Sequence, residues 1–192
     1  MQNEPSAQLL HLVSAERGCG SSLNYSRRVL LADPSGWNPE HEENPLNVAF
    51  LCLGVMGAPM AGHLAGAGHS VHAYNRSSGP RETWLSRHGG SGGRCSATPA
   101  EAVAGADFVM VCTGRDADLR EIALGATGAC DAMEPGAVFV DHSTVSAELA
   151  RDLAAEAEQR GLGWLDAPIS GGQIGSERGE LTIMVGGGED IY

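Results

Sequence analysis

Val48-Ala-Phe-Leu-Cys-Leu-Gly-Val-Met-Gly-Ala-Pro-Met-Ala-Gly-His-Leu64 is the stretch that decides the fold. A short apolar run ends in a glycine turn and passes directly into an amphipathic helix. That succession is the strand–turn–helix unit in which free backbone N–H groups at a helix N-terminus hold the pyrophosphate of a dinucleotide. The usual fingerprint of the unit is G-x-G-x-x-G; here Cys52 stands first, followed by Gly54 and Gly57. Gly54 lets the backbone approach a pyrophosphate with no Cβ in the way, and Gly57 lets the helix close on the sheet. Leu53, Gly54, Val55, Met56 and Gly57 are therefore the expected cofactor loop, although Met56 and Pro59 also read as packing and helix-start residues. Cys52 occupies the tight-turn position, and reads either as a tolerated small residue in place of glycine or as one whose Cβ displaces the turn and impairs cofactor binding.

Downstream the pattern keeps alternating. Val48–Leu53 reads as a strand, Gly57–Gly68 as a helix closed by glycine, His69–Tyr74 as a strand and Pro80–His88 as a helix. Gly89–Gly93 is a flexible connection before a very short strand at Arg94–Ser96. Thr98-Pro-Ala-Glu101 is a capping box with Pro at the first helical position. Phe108–Cys112 and Ala137–Asp141 are strands, Ser146–Arg160 is a strongly amphipathic helix capped by Gly161, and Trp164–Ala167 and Leu181–Val185 complete the strands. This alternation predicts an α/β, Rossmann-type doubly wound domain with a mostly parallel sheet over residues 46–192, whose ligands sit at the carboxyl ends of the strands. Residues 1–45 are polar, aperiodic and broken by Pro5, Pro34, Pro39 and Pro45, and read as a disordered or loosely attached extension.

Composition sets the outer limits. The 192 residues carry 42% hydrophobic content, enough for one packed core. A formal charge of −12 argues against nucleic acid or an anionic membrane as partner, and no apolar run is long enough to span a bilayer. The five cysteines are odd in number and widely spaced, with no C-x-x-C pair. Neither a disulfide frame nor a zinc site is expected, and a reducing, cytoplasmic setting fits best. His69 and His72 would point to opposite faces of a strand, so no metal site is expected. All twelve basic residues are Arg; the chain contains no Lys.

Cofactor choice is read at the end of the second strand. An NAD site normally places Asp or Glu there for the ribose 2′-OH. This chain has Asn75-Arg76-Ser77, with no carboxylate. Arg76 offers a guanidinium to a 2′-phosphate and its neighbours offer neutral hydrogen bonds, so NADP is expected over NAD, with no acid opposing the arginine.

On these motifs the sequence resembles the β-hydroxyacid dehydrogenases, which include 3-hydroxyisobutyrate dehydrogenases and glyoxylate or succinic-semialdehyde reductases. The resemblance covers about residues 46–189. Leu53, Gly54, Met56, Gly57, Pro59, Met60 and Ala61 match the family's opening segment, with Cys52 as the departure. Asp141-His-Ser-Thr144, Asp166-Ala-Pro-Ile-Ser-Gly-Gly172 and Gly179–Gly187 match three later segments in order. The resemblance implies hydride transfer between NADP(H) and a small hydroxyacid or semialdehyde. It implies cofactor contacts at Thr113 and Gly114, where the family has Leu-Pro, and at Thr144 beside the nicotinamide-side ribose. It also implies a substrate clamp at Ser170, Gly171 and Gly172, with Ser143 counted beside them. The family's catalytic lysine, its helper asparagine and the helical domain that closes over substrate would all lie beyond Tyr192. No catalytic residue is therefore expected within these residues, and a homo-oligomer only where that domain is present. Asp141, His142 and Ser143 are sequence neighbours and cannot form a catalytic triad. Three readings stay open: the cofactor half of such an oxidoreductase, the cofactor half of an imine-reducing relative, or a dinucleotide-binding fragment without turnover.

Overall fold

The computed structural model describes residues 11–12, 45–188 and 191, so the expected extension over 1–45 lies almost wholly outside the described residues. From Asn47 onward strands and helices alternate. The order is β1 Asn47–Leu51, α1 Gly57–Gly66, β2 Ser70–Tyr74, α2 Ser78–His88, β3 Arg94–Ser96, α3 Pro99–Val103, β4 Phe108–Val111 and α4 Asp116–Leu124. It continues with β5 Val138–Asp141, α5 Ala147–Gln159, β6 Gly163–Asp166, β7 Ile169–Ser170, α6 Gly172–Arg178, β8 Thr182–Ile183 and β9 Gly186–Gly187. The main sheet runs β9-β6-β5-β4-β1-β2-β3. All its pairings are parallel except β9 against β6. The 3-2-1-4-5-6 order within it is that of the doubly wound dinucleotide fold, and it reverses between β1 and β4.

Burial on both faces explains the apolar run in β1. Phe50 and Leu51 are adjacent yet both fully buried. Phe50 belongs to an apolar cluster with Met60 and Ala61 of α1 and Trp84 of α2, while Leu51 belongs to a second cluster with Val103 of α3, Leu119 of α4 and Leu153 of α5. Each such side chain contributes roughly 1.5–3 kcal/mol. Local signals agree with these positions. Thr98 Oγ1 accepts the Glu101 N–H at 3.2 Å while Glu101 accepts the Thr98 N–H, and Ser146 Oγ caps α5 by accepting from Leu149 N–H.

Three elements depart from the sequence reading. Helix α4 was not expected, although Leu119, Ile122 and Ala123 share its buried face and Asp116 and Asp118 suit its first turn. Helix α6 was also not expected; its one large apolar residue, Ile174, faces solvent, so periodicity gives no sign of it. The final strand expected over Leu181–Val185 shortens to Thr182–Ile183, and a separate strand forms at Gly186–Gly187. Thr182–Ile183 pairs antiparallel with β7 and parallel with His11–Leu12, outside the main sheet, and only Gly186–Gly187 returns to line the edge beside β6.

Candidate functional site

The turn after β1 is held from the end of β2. Cys52 N–H donates to the Tyr74 carbonyl at 2.8 Å and Leu53 N–H donates to Asn75 Oδ1 at 3.0 Å. Among the described residues, Cys52 alone outside glycine has a positive φ, +80°. A backbone shape that costs an L-residue about 1–2 kcal/mol thus falls at the position where the fingerprint has glycine. Burial pushes the Cys52 thiol up to about 11, with the nearby Cys112 adding to the rise, so it stays protonated at neutral pH and offers no reactive thiolate. A Cβ on Gly57 would overlap the Cys52 carbonyl oxygen and meet the Phe50 ring at 2.9 Å, whereas one on Gly54 would meet nothing within 4 Å. Gly57 is required by helix–strand contact and Gly54 borders open space. No side chain caps α1, and its first turn holds no acid. Val55 is 66% exposed at the mouth of the turn.

At the end of β2 the residues divide their work. The Asn75 amide is committed to the loop, accepting from Leu53 and donating to the Ser77 carbonyl at 3.3 Å. Ser77 stands at the N-terminus of α2 with no capping bond from its hydroxyl. The Arg76 side chain is 83% exposed and lies 3.7 Å from Asp118. That contact corrects the expectation that no acid opposes Arg76: the carboxylate comes from α4, an element absent from the sequence reading. Asp118 is already gripped by Arg115 at 2.8 and 3.1 Å, so Arg76 is its weaker partner.

The ends of β4 and β5 are laced together. Thr113 N–H donates to Ser143 Oγ at 3.0 Å, and Ser143 N–H donates to Asp141 Oδ1 at 2.9 Å. Ser143, expected beside the substrate clamp, is 2% exposed, and its hydroxyl accepts from Thr113 N–H and so ties down the Thr113 turn. Thr144 and Gly114 are exposed at the same rim. His142 is buried with Nδ1 on the Ala167 carbonyl at 2.9 Å, and burial lowers its pKa. Its ring bonds to neither Asp141 nor Ser143, as expected for three sequence neighbours.

The segment 170–172 sits at the head of α6. Ser170 is exposed on β7, opposite Thr182. Gly171 and Gly172 take φ of +132° and +62°, backbone shapes that admit glycine far more readily than other residues. Ser176, fully buried on α6, donates its hydroxyl to the Met56 carbonyl at 2.7 Å, and His63 Nε2 of α1 bonds the Ser176 carbonyl at 2.9 Å. The α6–α1 clasp was not foreseen, because no pattern in the sequence links residues more than a hundred positions apart.

Residues 47–192 match the model of the NAD binding domain of 6-phosphogluconate dehydrogenase. An uncharacterized oxidoreductase of Shewanella frigidimarina is 49% identical over 140 residues, 73% of this chain and 47% of that protein. The 3-hydroxyisobutyrate dehydrogenase of Mycobacterium tuberculosis, solved with L-serine, is 37% identical, with a TM-score of 0.68 over 77% of this chain and 48% of its own. Psf3, solved with NADP+ and 2-OPP, is 27% identical, with a TM-score of 0.69 over 76% of this chain and 50% of its own. The chain spans about half the length of the curated relatives it matches. With the strand order, the turn after β1 and these likenesses together, the chain belongs to the β-hydroxyacid dehydrogenase family, and residues 47–192 are its NAD-binding domain.

Proposed function

We propose that this domain binds NADP(H) in preference to NAD(H), as the cofactor half of an oxidoreductase acting on a small hydroxyacid or semialdehyde. The observation that carries the reading is the uncapped N-terminus of α1 behind the open face of Gly54, at the reversal of strand order, with exposed Arg76 at the end of β2. Residues 53–57 would hold the pyrophosphate on backbone N–H groups. Thr113, Gly114 and Thr144 would border the nicotinamide half. Ser170, Gly171 and Gly172 would present a hydroxyl and backbone N–H groups to substrate. When bound, the nicotinamide supplies or accepts the hydride.

Arg76 decides between the two cofactors. It exchanges a 3.7 Å contact with an already-paired Asp118 for a charge-assisted bond to the 2′-phosphate. NADPH is expected to bind on the order of tenfold more tightly than NADH, and Arg76→Ala to erase the difference. Fluorescence titration at fixed salt measures both, and equal affinities in the starting protein would overturn the choice. Psf3, solved with NADP+, supports it by analogy.

Carbonyl reduction also needs a proton for the nascent alkoxide. The chain has no lysine, and the arginine guanidinium stays protonated. Residues 1–192 alone are expected to bind cofactor with negligible turnover of 3-hydroxyisobutyrate-like substrates. Steady-state turnover by the mass-verified chain would show that another group near Ser170 moves the proton.

A further inference from the structure

Thr113 begins the turn at the end of β4, where the sheet ladder runs out. Its neighbours still have backbone partners: Cys112 N–H donates to the Leu51 carbonyl at 3.2 Å and His142 N–H to the Val111 carbonyl at 2.8 Å. Thr113 N–H instead depends on the hydroxyl of Ser143, and the Ser143 backbone depends on the Asp141 carboxylate. Both supporting side chains are closed off from solvent, at 0% and 2% exposure. We propose that Asp141 is a positioning residue that fixes the Thr113–Gly114 turn through Ser143, and with it the wall of the crevice that receives the nicotinamide half of the dinucleotide. The proposal rests on the dinucleotide reading above.

The surroundings make this tie sensitive to protons. Asp141 faces Asp166 at the end of β6, Asp116 at the start of α4 and the Cys112 thiol at the end of β4; beside it, His142 is buried and has its pKa lowered. These neighbours present no cation to it. Burial pushes the Asp141 carboxyl up to about 6, with Asp166 and Asp116 adding to the rise and the Ser143 bonds opposing it. A carboxylate accepts a backbone N–H more strongly than a carboxylic acid does, so the turn is held best above pH ~6 and loosens below it. Fold stability responds in the opposite sense. Because the folded-state value lies above the ordinary one, this group favours the native state more as pH falls from about 6 towards 4. Looser cofactor binding at about pH 5 should therefore come without loss of fold through Asp141.

NADH is the ligand for the test, because the 2′-phosphate of NADPH itself ionises near pH 6. Wild-type protein titrated with NADH is expected to bind about fivefold more weakly at about pH 5 than at about pH 7.5. Asp141→Asn keeps the shape and an accepting oxygen but cannot titrate, so its affinity should be flat across that range. Ser143→Ala should bind about tenfold more weakly than wild type at about pH 7.5 and should also lose the pH dependence. Should Asp141→Asn fail to fold, amide exchange in wild type decides. The Thr113 protection factor should fall between about pH 7.5 and 5 while that of Met110 inside β4 holds. Wild-type pH dependence retained in Asp141→Asn, unchanged binding in Ser143→Ala, or constant Thr113 protection would each overturn the proposal. Wild-type protein that binds neither NADH nor NADPH at about pH 7.5 would overturn the dinucleotide reading, and the proposal with it.

Discussion

Gly57→Ala is expected to destabilise the domain by about 3 kcal/mol and to weaken dinucleotide binding at least tenfold. The added methyl would overlap the Cys52 carbonyl and press on the Phe50 ring, and neither can yield cheaply. Phe50 is fully buried in β1, and the Cys52 backbone is pinned by its N–H on Tyr74. The first turn of α1 must therefore retreat from the strand, carrying its N–H groups away from the place where they converge. Urea unfolding reads the first effect and cofactor titration the second. Wild-type stability would mean that α1 slides without penalty and that the close approach at Gly57 is dispensable.

Cys52→Gly acts on the same turn with the opposite sign. An L-residue at φ +80° carries about 1–2 kcal/mol of backbone strain, of which glycine carries essentially none. Glycine also loses about 0.5–1 kcal/mol more chain entropy on folding, so the expected net gain in stability is about 1 kcal/mol. Strain present equally in the free and bound protein cannot change affinity. Affinity rises only as far as the turn adjusts when a pyrophosphate docks, and removal of the thiol beside Thr113 eases that adjustment. About fivefold tighter NADPH binding is expected, measured directly and not through turnover. A less stable variant would mean that the cysteine side chain contributes more by packing than its backbone costs.

The cysteine shows how much of this molecule was legible in the chain. Its place in the fingerprint marked the tight turn before any geometry was known, whereas the positive φ that the cysteine takes there is visible only in the structure. Strands β1, β4 and β5 were legible as short apolar runs, β2 as an alternation that buries Val71 and Ala73, and β6 by its buried Trp164 and Leu165. Helix α6 was not, because its exposed face and its glycines leave no periodic stripe. The missed α4 carried the larger consequence for the site. Asp118 reaches Arg76 from that helix, so the charge environment of the cofactor selector could not be read from residues 75–77 alone. The tie from Ser143 to the Thr113 turn was not legible either, because the motif does not record which backbone group its hydroxyl meets.

The clasp between α6 and α1 joins two ends of the crevice that the chain builds more than a hundred residues apart. The head of α6 is the Ser170–Gly172 segment, and the Met56 carbonyl that receives the Ser176 hydroxyl stands at the N-terminus of α1. In the proposed reading a substrate at the one and a dinucleotide at the other would be linked through the same pair of hydrogen bonds. Whatever factor the first contributes to the affinity of the second, the second must return to the first. Coupling carried by such a clasp would have the same size in either order of binding, and would pass through a buried serine and a histidine.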